Sequence, residues 1–255
     1  MPNKAEFLSN IFLSIIIPAY NEANRLPKTL DNLFTFLCRQ PYSYEVVIVE
    51  NGSQDNTYEI AMAFTEKYPQ LRLLREREKG KGRAVQTGML AAQGEYRFMC
   101  DVDFSMPVEE INRFLPPLLI DCDVAIASRE APGAKRFNEP AFRHIVGRFY
   151  NGLIRLTALP GLHDTQCGFK CFRGNVAQEL FSCQTISGWS FDVEVLFIAR
   201  LREYRIVEVP IPWYFNSESK INVWRDSLRM AVDLITIRRN QLLGKYERVN
   251  VAQIQ

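Results

Sequence analysis

The chain lacks most of the features that would assign it quickly. Only two of its 255 residues are histidines, at 144 and 163, and their spacing matches no metal-ligand set. Six cysteines, at 38, 100, 122, 167, 171 and 183, include one C-x3-C pair, but no second pair and no neighbouring histidine completes a zinc site. In a chain this long and cysteine-poor, reduced thiols in a cytosolic protein are the expectation. A dominant charge is missing too: 31 Lys+Arg stand against 29 Asp+Glu, a net of +2. No global field favours nucleic acid, so no nucleic-acid partner is expected and any basic site must be local. There is no internal repeat and no low-complexity stretch. With 13 Gly, 13 Pro, 47% hydrophobic and 24% charged residues, collagen-like and disordered readings drop out.

Long apolar runs are equally scarce. A bilayer span needs about 20 apolar residues. The longest uncharged run, 7–21, is shorter and contains Asn10, Pro18 and Asn21. Lys4 ahead of it gives the outline of a signal peptide, but no small-residue cleavage site follows. We read this run as a buried strand.

What is present is a regular alternation. Residues 13–18 (LSIIIP) and 45–49 (EVVIV) are strands covered on both faces, and 71–74, 96–100 and 123–127 are three more. Between the first two, Leu26, Leu30, Leu33, Phe34 and Leu37 recur at helical spacing. After the turn at Asn51-Gly52-Ser53, Asp55 suits the cap of a helix carrying Ile60, Ala61 and Phe64. A helix-compatible stretch covers 84–92, and Pro107 suits the first turn of another helix. Strands alternating with helices mean βαβ units and a parallel sheet. Beyond them the pattern predicts a helix over 140–159, a turn at 163–170, a helix over 191–204, a strand at 206–209 and a last helical piece over 222–243. We expect one domain over 1–243: a regular first half at about 12–129, a looser second half at 130–221 and an amphipathic helix at 222–243. A flexible tail at 244–255 would follow.

In open parallel sheets, ligands bind beyond the carboxyl ends of the strands. The polar clusters at 20–22, 50–55 and 101–103 all fall at such ends. Asp101 and Asp103 repel each other unless a divalent cation or a shared proton lies between them. They therefore suit Mg2+ or Mn2+ holding a diphosphate, the plainer alternative being a cap and a solvated turn. Lys79-Gly80-Lys81-Gly82-Arg83 leads into a helix, where glycines let backbone approach a phosphate; a solvated basic loop is the alternative.

Read together, Pro18-Ala19-Tyr20-Asn21-Glu22, Glu50-Asn51-Gly52-Ser53-Gln54-Asp55-Asn56-Thr57, Lys81-Gly82 and Asp101-Val102-Asp103 resemble a family 2 glycosyltransferase of GT-A type. In the second half, 164–170 (DTQCGFK), 189–194 (WSFDVE), 208–213 (EVPIPW) and Ser219-Lys220 resemble the dolichyl-phosphate β-glucosyltransferase branch. The resemblance covers about 12–240, and the dolichyl-phosphate mannosyltransferases share its first half. It implies an α/β, Rossmann-like GT-A fold with a mostly parallel central sheet and helices on both faces. It also implies an inverting enzyme that moves glucose from UDP-glucose to a polyprenyl phosphate with Mg2+ or Mn2+. The alternatives are a GDP-mannose-dependent mannosyltransferase and a non-catalytic nucleotide-sugar-binding subunit.

The resemblance also suggests residue roles. Pro18, Tyr20 and Glu22 would line the nucleotide pocket, Glu50 and Ser53 would meet uracil and ribose, and Lys81 and Gly82 would flank the nucleotide. Asp101 and Asp103 would bind the metal, and Arg129 a phosphate. The family usually has Asp-Asp-Gly-Ser where this chain has Glu50-Asn51-Gly52-Ser53. Asp164, Asp192 and Glu194 would serve as a base, as anchors for sugar hydroxyls, or as structural groups capping a turn or pairing with Lys170. Trp189 would stack on sugar or prenyl chain, or fill the core.

Chemistry independent of the family also suits a phosphate acceptor. A phosphate monoester with a second pKa near about 6 is already a dianionic nucleophile at neutral pH and needs no strong base. It does need positive charge, for which Arg129, Arg136, Arg143 and Arg148 are candidates. The basic apolar segment 224–243 suits an anionic membrane surface. The expectation is peripheral contact with the cytoplasmic face of the membrane, directly or through a membrane partner protein.

Overall fold

The computed structural model describes residues 11–216 and 223–247. Ser219, Lys220 and the end of the expected tail lie outside the described residues, as do the side chains of Arg143, Trp224 and Arg225. The first half runs β1 (Leu13–Ala19), α1 (Leu26–Leu37), β2 (Tyr44–Glu50), α2 (Thr57–Lys67), β3 (Leu71–Arg75), α3 (Lys81–Ala91) and β4 (Tyr96–Met99). A 3-10 helix (Val108–Phe114), β5 (Val124–Ser128), β6 (Lys135–Phe137) and α4 (Ala141–Thr157) follow. The chain then forms β7 (Lys170–Arg173), α5 (Gly174–Ser182), α6 (Phe191–Leu201), β8 (Ile206–Pro210), β9 (Pro212–Tyr214) and α7 (Val223–Leu242).

Seven strands make one sheet in the order β3-β2-β1-β4-β7-β5-β8, and β6 pairs with β9 in a separate ribbon. All neighbours in the large sheet are parallel except β7, which runs antiparallel between β4 and β5. Alternation along each strand divides the core. Ile15 and Ile17 face α1, α2 and the 3-10 helix, while Ile16 faces α3 and α5–α7 across the sheet. With both faces covered, the central strands read as unbroken apolar runs.

The strands at 13–18, 45–49, 71–74, 96–100 and 123–127 all form, within a residue or two of the expected bounds. Asn56 and not Asp55 takes the capping position of α2, with Asp55 one residue earlier and its Oδ1 accepting the Thr57 N–H at 3.0 Å. Three further expectations need correction. The segment after Pro107 is a 3-10 helix rather than an α-helix. The helix expected at 84–92 begins at Lys81, because Gly80, at φ 147°, makes the turn just before it. The turn at 163–170 leads straight into β7 and α5, neither of which the apolar pattern shows.

Candidate active site

Strand order reverses at β1, which has β2 on one side and β4 on the other, so a crevice opens beyond their carboxyl ends. The loops after β1 and β2 are tied together there. The Asn21 N–H donates to Ser53 Oγ at 3.0 Å, the Gln54 N–H to Asn21 Oδ1 at 2.7 Å, and the Glu22 N–H to Thr57 Oγ1 at 2.7 Å. Asn21 takes φ 52°, turning the chain out of β1 and leaving Tyr20 exposed after the half-buried Pro18. Glu22 holds Arg25 through two 2.7 Å bonds.

Glu50 ends β2 almost fully buried. Its Oε1 accepts the Ser53 N–H at 2.5 Å and its Oε2 faces Arg75 Nε at 3.3 Å. The departure at Asn51 has a structural reason. Its amide donates to the carbonyls of Glu76 and Glu78 at 3.0 and 2.7 Å, and its oxygen accepts the Gly80 N–H at 2.9 Å. A carboxylate here could make only the last of these bonds. Asn51 thus pins the loop that delivers Lys81.

Lys81 is fixed from both sides by glycines. A Cβ on Gly80 would lie 2.3 Å from the Ser187 carbonyl, and one on Gly82 2.7 Å from that of Ile186. Gly82 is therefore buried against the 186–191 loop. Lys81 Nζ pairs with Asp101 Oδ1 at 2.6 Å and lies 5.1 Å from the ring of half-buried Trp189. Burial weakens the Lys81 ammonium, but Asp101 first, then Asp192 and Asp103, hold it charged and raise its pKa above the ordinary lysine value. Burial, and then the charge of Asp101, raise the Asp103 carboxyl against the opposing pull of Lys81 and Arg25. Gly168 completes the pocket around Asp101, since a Cβ there would lie 2.1 Å from Oδ2. A groove of about 1000 Å³ between α1 and the 3-10 helix opens beside Asp103, with Arg25 and Lys28 in its wall.

On the other side of the crevice the charges are already matched. Asp164 is fully buried and takes three bonds from Arg129, from its backbone N at 2.9 Å, Nε at 2.6 Å and Nη2 at 2.8 Å. Burial would raise the Asp164 carboxyl, yet Arg129 overrides it and brings the pKa down to about 2. Trp213 lies 5.3 Å from the Arg129 guanidinium and 5.7 Å from that of Arg136, which bridges Glu130 and Glu139. The spare positive charge expected of Arg129 and Arg136 is thus engaged within the protein, while Arg148 is exposed. Asp192 receives Lys170 Nζ at 2.5 Å, and burial raises its carboxyl more than Lys170 and Lys81 lower it. Pairing with Lys170 was one of the open readings, and here Asp192 takes it. Glu194 is fully buried and accepts from the N–H groups of Thr185 and Ile186 and the hydroxyls of Thr185 and Tyr246, so its role is to hold that loop.

The structure therefore brings Lys81, Asp101, Asp103, Trp189 and Asp192 to one cluster, Arg129 and Asp164 to a second, and Glu22, Glu50 and Ser53 to the stapled loops. Sequence reasoning missed Asn51 as a loop anchor, Gly168 as the wall behind Asp101, and Glu208, which receives the N–H groups of His163 and Asp164 at 3.0 and 2.9 Å. Gly168 and Glu208 lay within the quoted second-half segments, but their partners are far along the chain.

The candidate metal ligands fit a hard divalent ion in one limited sense. Among the described residues no group of three or more His, Cys, Asp or Glu side chains surrounds a common point. Two carboxylates alone suit an ion whose remaining positions are filled by substrate phosphates and water, the usual manner of Mg2+.

Comparison with known proteins agrees with this geometry. The model of the family described as "Glycosyl transferase family 2" matches residues 14–181. Dolichyl-phosphate beta-glucosyltransferase ALG5C of Trichomonas vaginalis is 34% identical over 241 residues, 90% of this chain and 71% of that protein. Dolichyl-phosphate beta-glucosyltransferase of Saccharomyces cerevisiae is 32% identical over 273 residues, covering 96% of this chain and 80% of its own length. In fold, the chain is similar to glucosyl-3-phosphoglycerate synthase from Mycobacterium tuberculosis, solved with Mn2+, UDP and glucosyl-3-phosphoglycerate. That match has a TM-score of 0.66 at 15% identity, over 96% of this chain and 84% of the other. With a mostly parallel GT-A sheet, a crevice at its switch point and these relatives, the chain belongs to glycosyl transferase family 2, a family of enzymes.

Proposed function

We propose that this enzyme transfers glucose from UDP-glucose to a polyprenyl phosphate of dolichyl type, with inversion at the anomeric carbon and with Mg2+ or Mn2+ bound by Asp101 and Asp103. The names of the relatives support the sugar and the acceptor. Neighbours solved with Mn2+ and UDP support the donor and the ion. The observation that carries the reading is the carboxylate pair at the end of β4, supported by Gly168 and faced by Lys81.

When bound, the ion supplies charge stabilisation for the departing diphosphate. The protein's own contributions are positional. Stapled loops after β1 and β2 hold the nucleoside end, with Tyr20 exposed to stack and Pro18, Glu22, Glu50 and Ser53 shaping the walls. Lys81 meets the diphosphate and Trp189 covers the sugar. The acceptor oxygen then attacks the anomeric carbon in line as UDP leaves.

The ion pairs favour phosphate over a hydroxyl as acceptor. A hydroxyl needs a general base with a pKa near the working pH. Asp164 is held at about 2 by Arg129, and Asp192 is bound to Lys170, so neither is free to take a proton. A phosphate dianion needs neither. Its charge is met by the exposed Arg148 and by the ammonium of Lys81.

The acceptor lies in a bilayer, so the enzyme must visit one. No helix among the described residues is long and apolar enough to cross a membrane. Val232, Ile235 and Leu242 share the outer face of α7, at 57%, 70% and 88% exposure, beside exposed Arg229, Arg238 and Arg239. Arg238 Nε also donates to the Thr157 carbonyl at 2.7 Å, which places α7 against the end of α4, where Leu156 is 87% exposed. Aliphatic side chains ringed by arginines suit an anionic lipid surface. Six free thiols suit the reducing, cytoplasmic side of that membrane.

The test is transfer of labelled glucose from UDP-glucose to a short polyprenyl phosphate, with and without Mn2+, using the wild type and Asp103→Ala. Metal-dependent product that disappears in the variant is expected. Product from GDP-mannose instead would overturn the donor, and absence of UDP binding would overturn the reading as a whole.

A further inference from the structure

Beyond α7 the chain turns back at Gly244, φ 71°, and buries Tyr246 to 4% exposure, its ring centroid 6.3 Å from that of Phe197. The Tyr246 hydroxyl donates to Glu194 Oε1 at 2.7 Å and accepts from Asn240 Nδ2 at 3.4 Å. Asn240, on the buried face of α7, also donates to Thr185 Oγ1 at 2.9 Å, and that hydroxyl in turn donates to Glu194 Oε1. Glu194 Oε2 accepts the N–H groups of Thr185 and Ile186 at 3.0 and 2.7 Å. Four hydrogen bonds thus hold this fully buried carboxylate, and one of them comes from the far end of the chain. The loop that Glu194 holds also grips the start of α3. Gln184 Nε2 donates to the Gly82 carbonyl at 2.9 Å, and the Arg83 N–H donates to the Ser187 carbonyl at 3.3 Å. Gly80 and Gly82 lie so close to the Ser187 and Ile186 carbonyls that a Cβ on either would collide. Asn51 holds Gly80 from the β2 side, and residues 184–187 hold Gly82 and Arg83 from the other.

We infer that Tyr246 and Asn240 are positioning residues of the nucleotide site: by fixing Glu194 and the 184–187 loop, they set the backbone from which Lys81 presents its ammonium. This rests on the function proposed above only in assigning Lys81 to the donor's diphosphate, and not in the sugar, the acceptor or the metal. The packing acts on the backbone and is independent of what the Lys81 side chain touches. The nucleoside end is held by different groups, the stapled loops after β1 and β2. A disturbed Tyr246 therefore weakens the grip on phosphate and spares the grip on uridine. A general loss of stability produces no such split.

The experiment compares the full-length wild type with Tyr246→Phe, which deletes one hydroxyl and keeps the ring beside Phe197. Ile237→Val is the control, since it trims a fully buried side chain of the same helix and removes no polar group. Hydrogen–deuterium exchange reads the backbone without any ligand. In Tyr246→Phe the amides of 81–83 and 185–187 should exchange about tenfold faster, while those of β1 keep their wild-type rates. Isothermal titration should show UDP bound about tenfold more weakly and uridine bound as in the wild type. Asn240→Ala removes both of that residue's bonds to the cluster and should repeat the pattern. Ile237→Val should lower the melting temperature by about 2–5 °C and match the wild type in both readouts. Unchanged exchange at 81–83 in a folded Tyr246→Phe protein would overturn the inference. So would equal losses of UDP and uridine, or an Ile237→Val protein that behaves like Tyr246→Phe, since each marks a general structural role. A wild type that binds no UDP would instead overturn the function proposed above, and the exchange rates would still decide whether Tyr246 sets the backbone at Lys81.

Discussion

Replacing Asp164 by Asn tests whether the Arg129–Asp164 pair is scaffold or a spare phosphate site. Asp164 is fully buried and takes the backbone N–H and two guanidinium nitrogens of Arg129 at 2.6–2.9 Å. Asn keeps the shape and loses the charge, which leaves a buried guanidinium facing Trp213 without its counter-ion. Breaking a buried pair by removing one partner costs roughly 3–5 kcal/mol. For a chain of this size that corresponds to a fall in melting temperature of about 6–20 °C. The pH dependence gives an independent measure. The carboxyl drops from 3.8 to about 2 on folding, so its contribution is fully present above about pH 4 and is lost as pH falls toward 2. The size of that contribution is roughly 2 kcal/mol. Urea unfolding from pH 7 down to pH 3 should show the loss in wild type and a flatter profile in Asp164→Asn. Adding Arg129→Met to the variant should recover part of the lost stability, because it removes the stranded charge. An Asp164→Asn protein as stable as wild type, with an unaltered acid limb, would refute the reasoning.

Asn51→Asp, which restores the residue usual in the family, should destabilise rather than improve the enzyme. It sets a carboxylate against the Glu76 and Glu78 carbonyls, and about 1–3 kcal/mol in urea together with weaker UDP binding is expected. Gly168→Ala places a methyl 2.1 Å from Asp101 Oδ2, so the carboxylate must shift. Transfer should fall about a hundredfold and Mn2+ titration with UDP should show a weaker site. In the combined Ile235→Ser and Leu242→Ser variant, co-sedimentation with anionic vesicles should drop about tenfold while UDP binding is unchanged, because both side chains are more than two-thirds exposed and make no part of the crevice.

How much of this was legible in the sequence follows from the range of each interaction. Buried parallel strands announce themselves locally, and 13–18 and 45–49 need nothing but their own apolar runs. β7 does not. Its four residues are Lys170, Cys171, Phe172 and Arg173, and the lysine is buried only because Asp192, 22 positions later, is waiting for it. The same holds for the site. Asp101, Asp103 and Lys81 stand out because a strand end and a glycine-flanked helix start are local features. The pairing of Arg129 with Asp164 spans 35 positions, so nothing near Arg129 reveals that its guanidinium is already taken. The resemblance suggests Arg129 as a phosphate-binding cation, and the fold gives its guanidinium a partner in Asp164.

That pairing changes where the field of the site originates. Arg129 is balanced by Asp164, Lys170 by Asp192 and Arg25 by Glu22, each at hydrogen-bond distance. Among the described residues, Lys81 is the ammonium in contact with Asp101, while Lys81 and Arg25 both reach Asp103 as more distant charges. The crevice at the end of β4 therefore attracts cations before it attracts phosphates. Three backbone donors around the crevice are also engaged, since the Gly80, Asn21 and Ser53 N–H groups all go to side chains of the neighbouring loops. In the proposed function a donor diphosphate therefore gains its place through the ion on Asp101 and Asp103 and through Lys81. The metal dependence proposed for this enzyme follows from that balance of charges, and it would hold for any nucleoside diphosphate sugar the stapled loops accept.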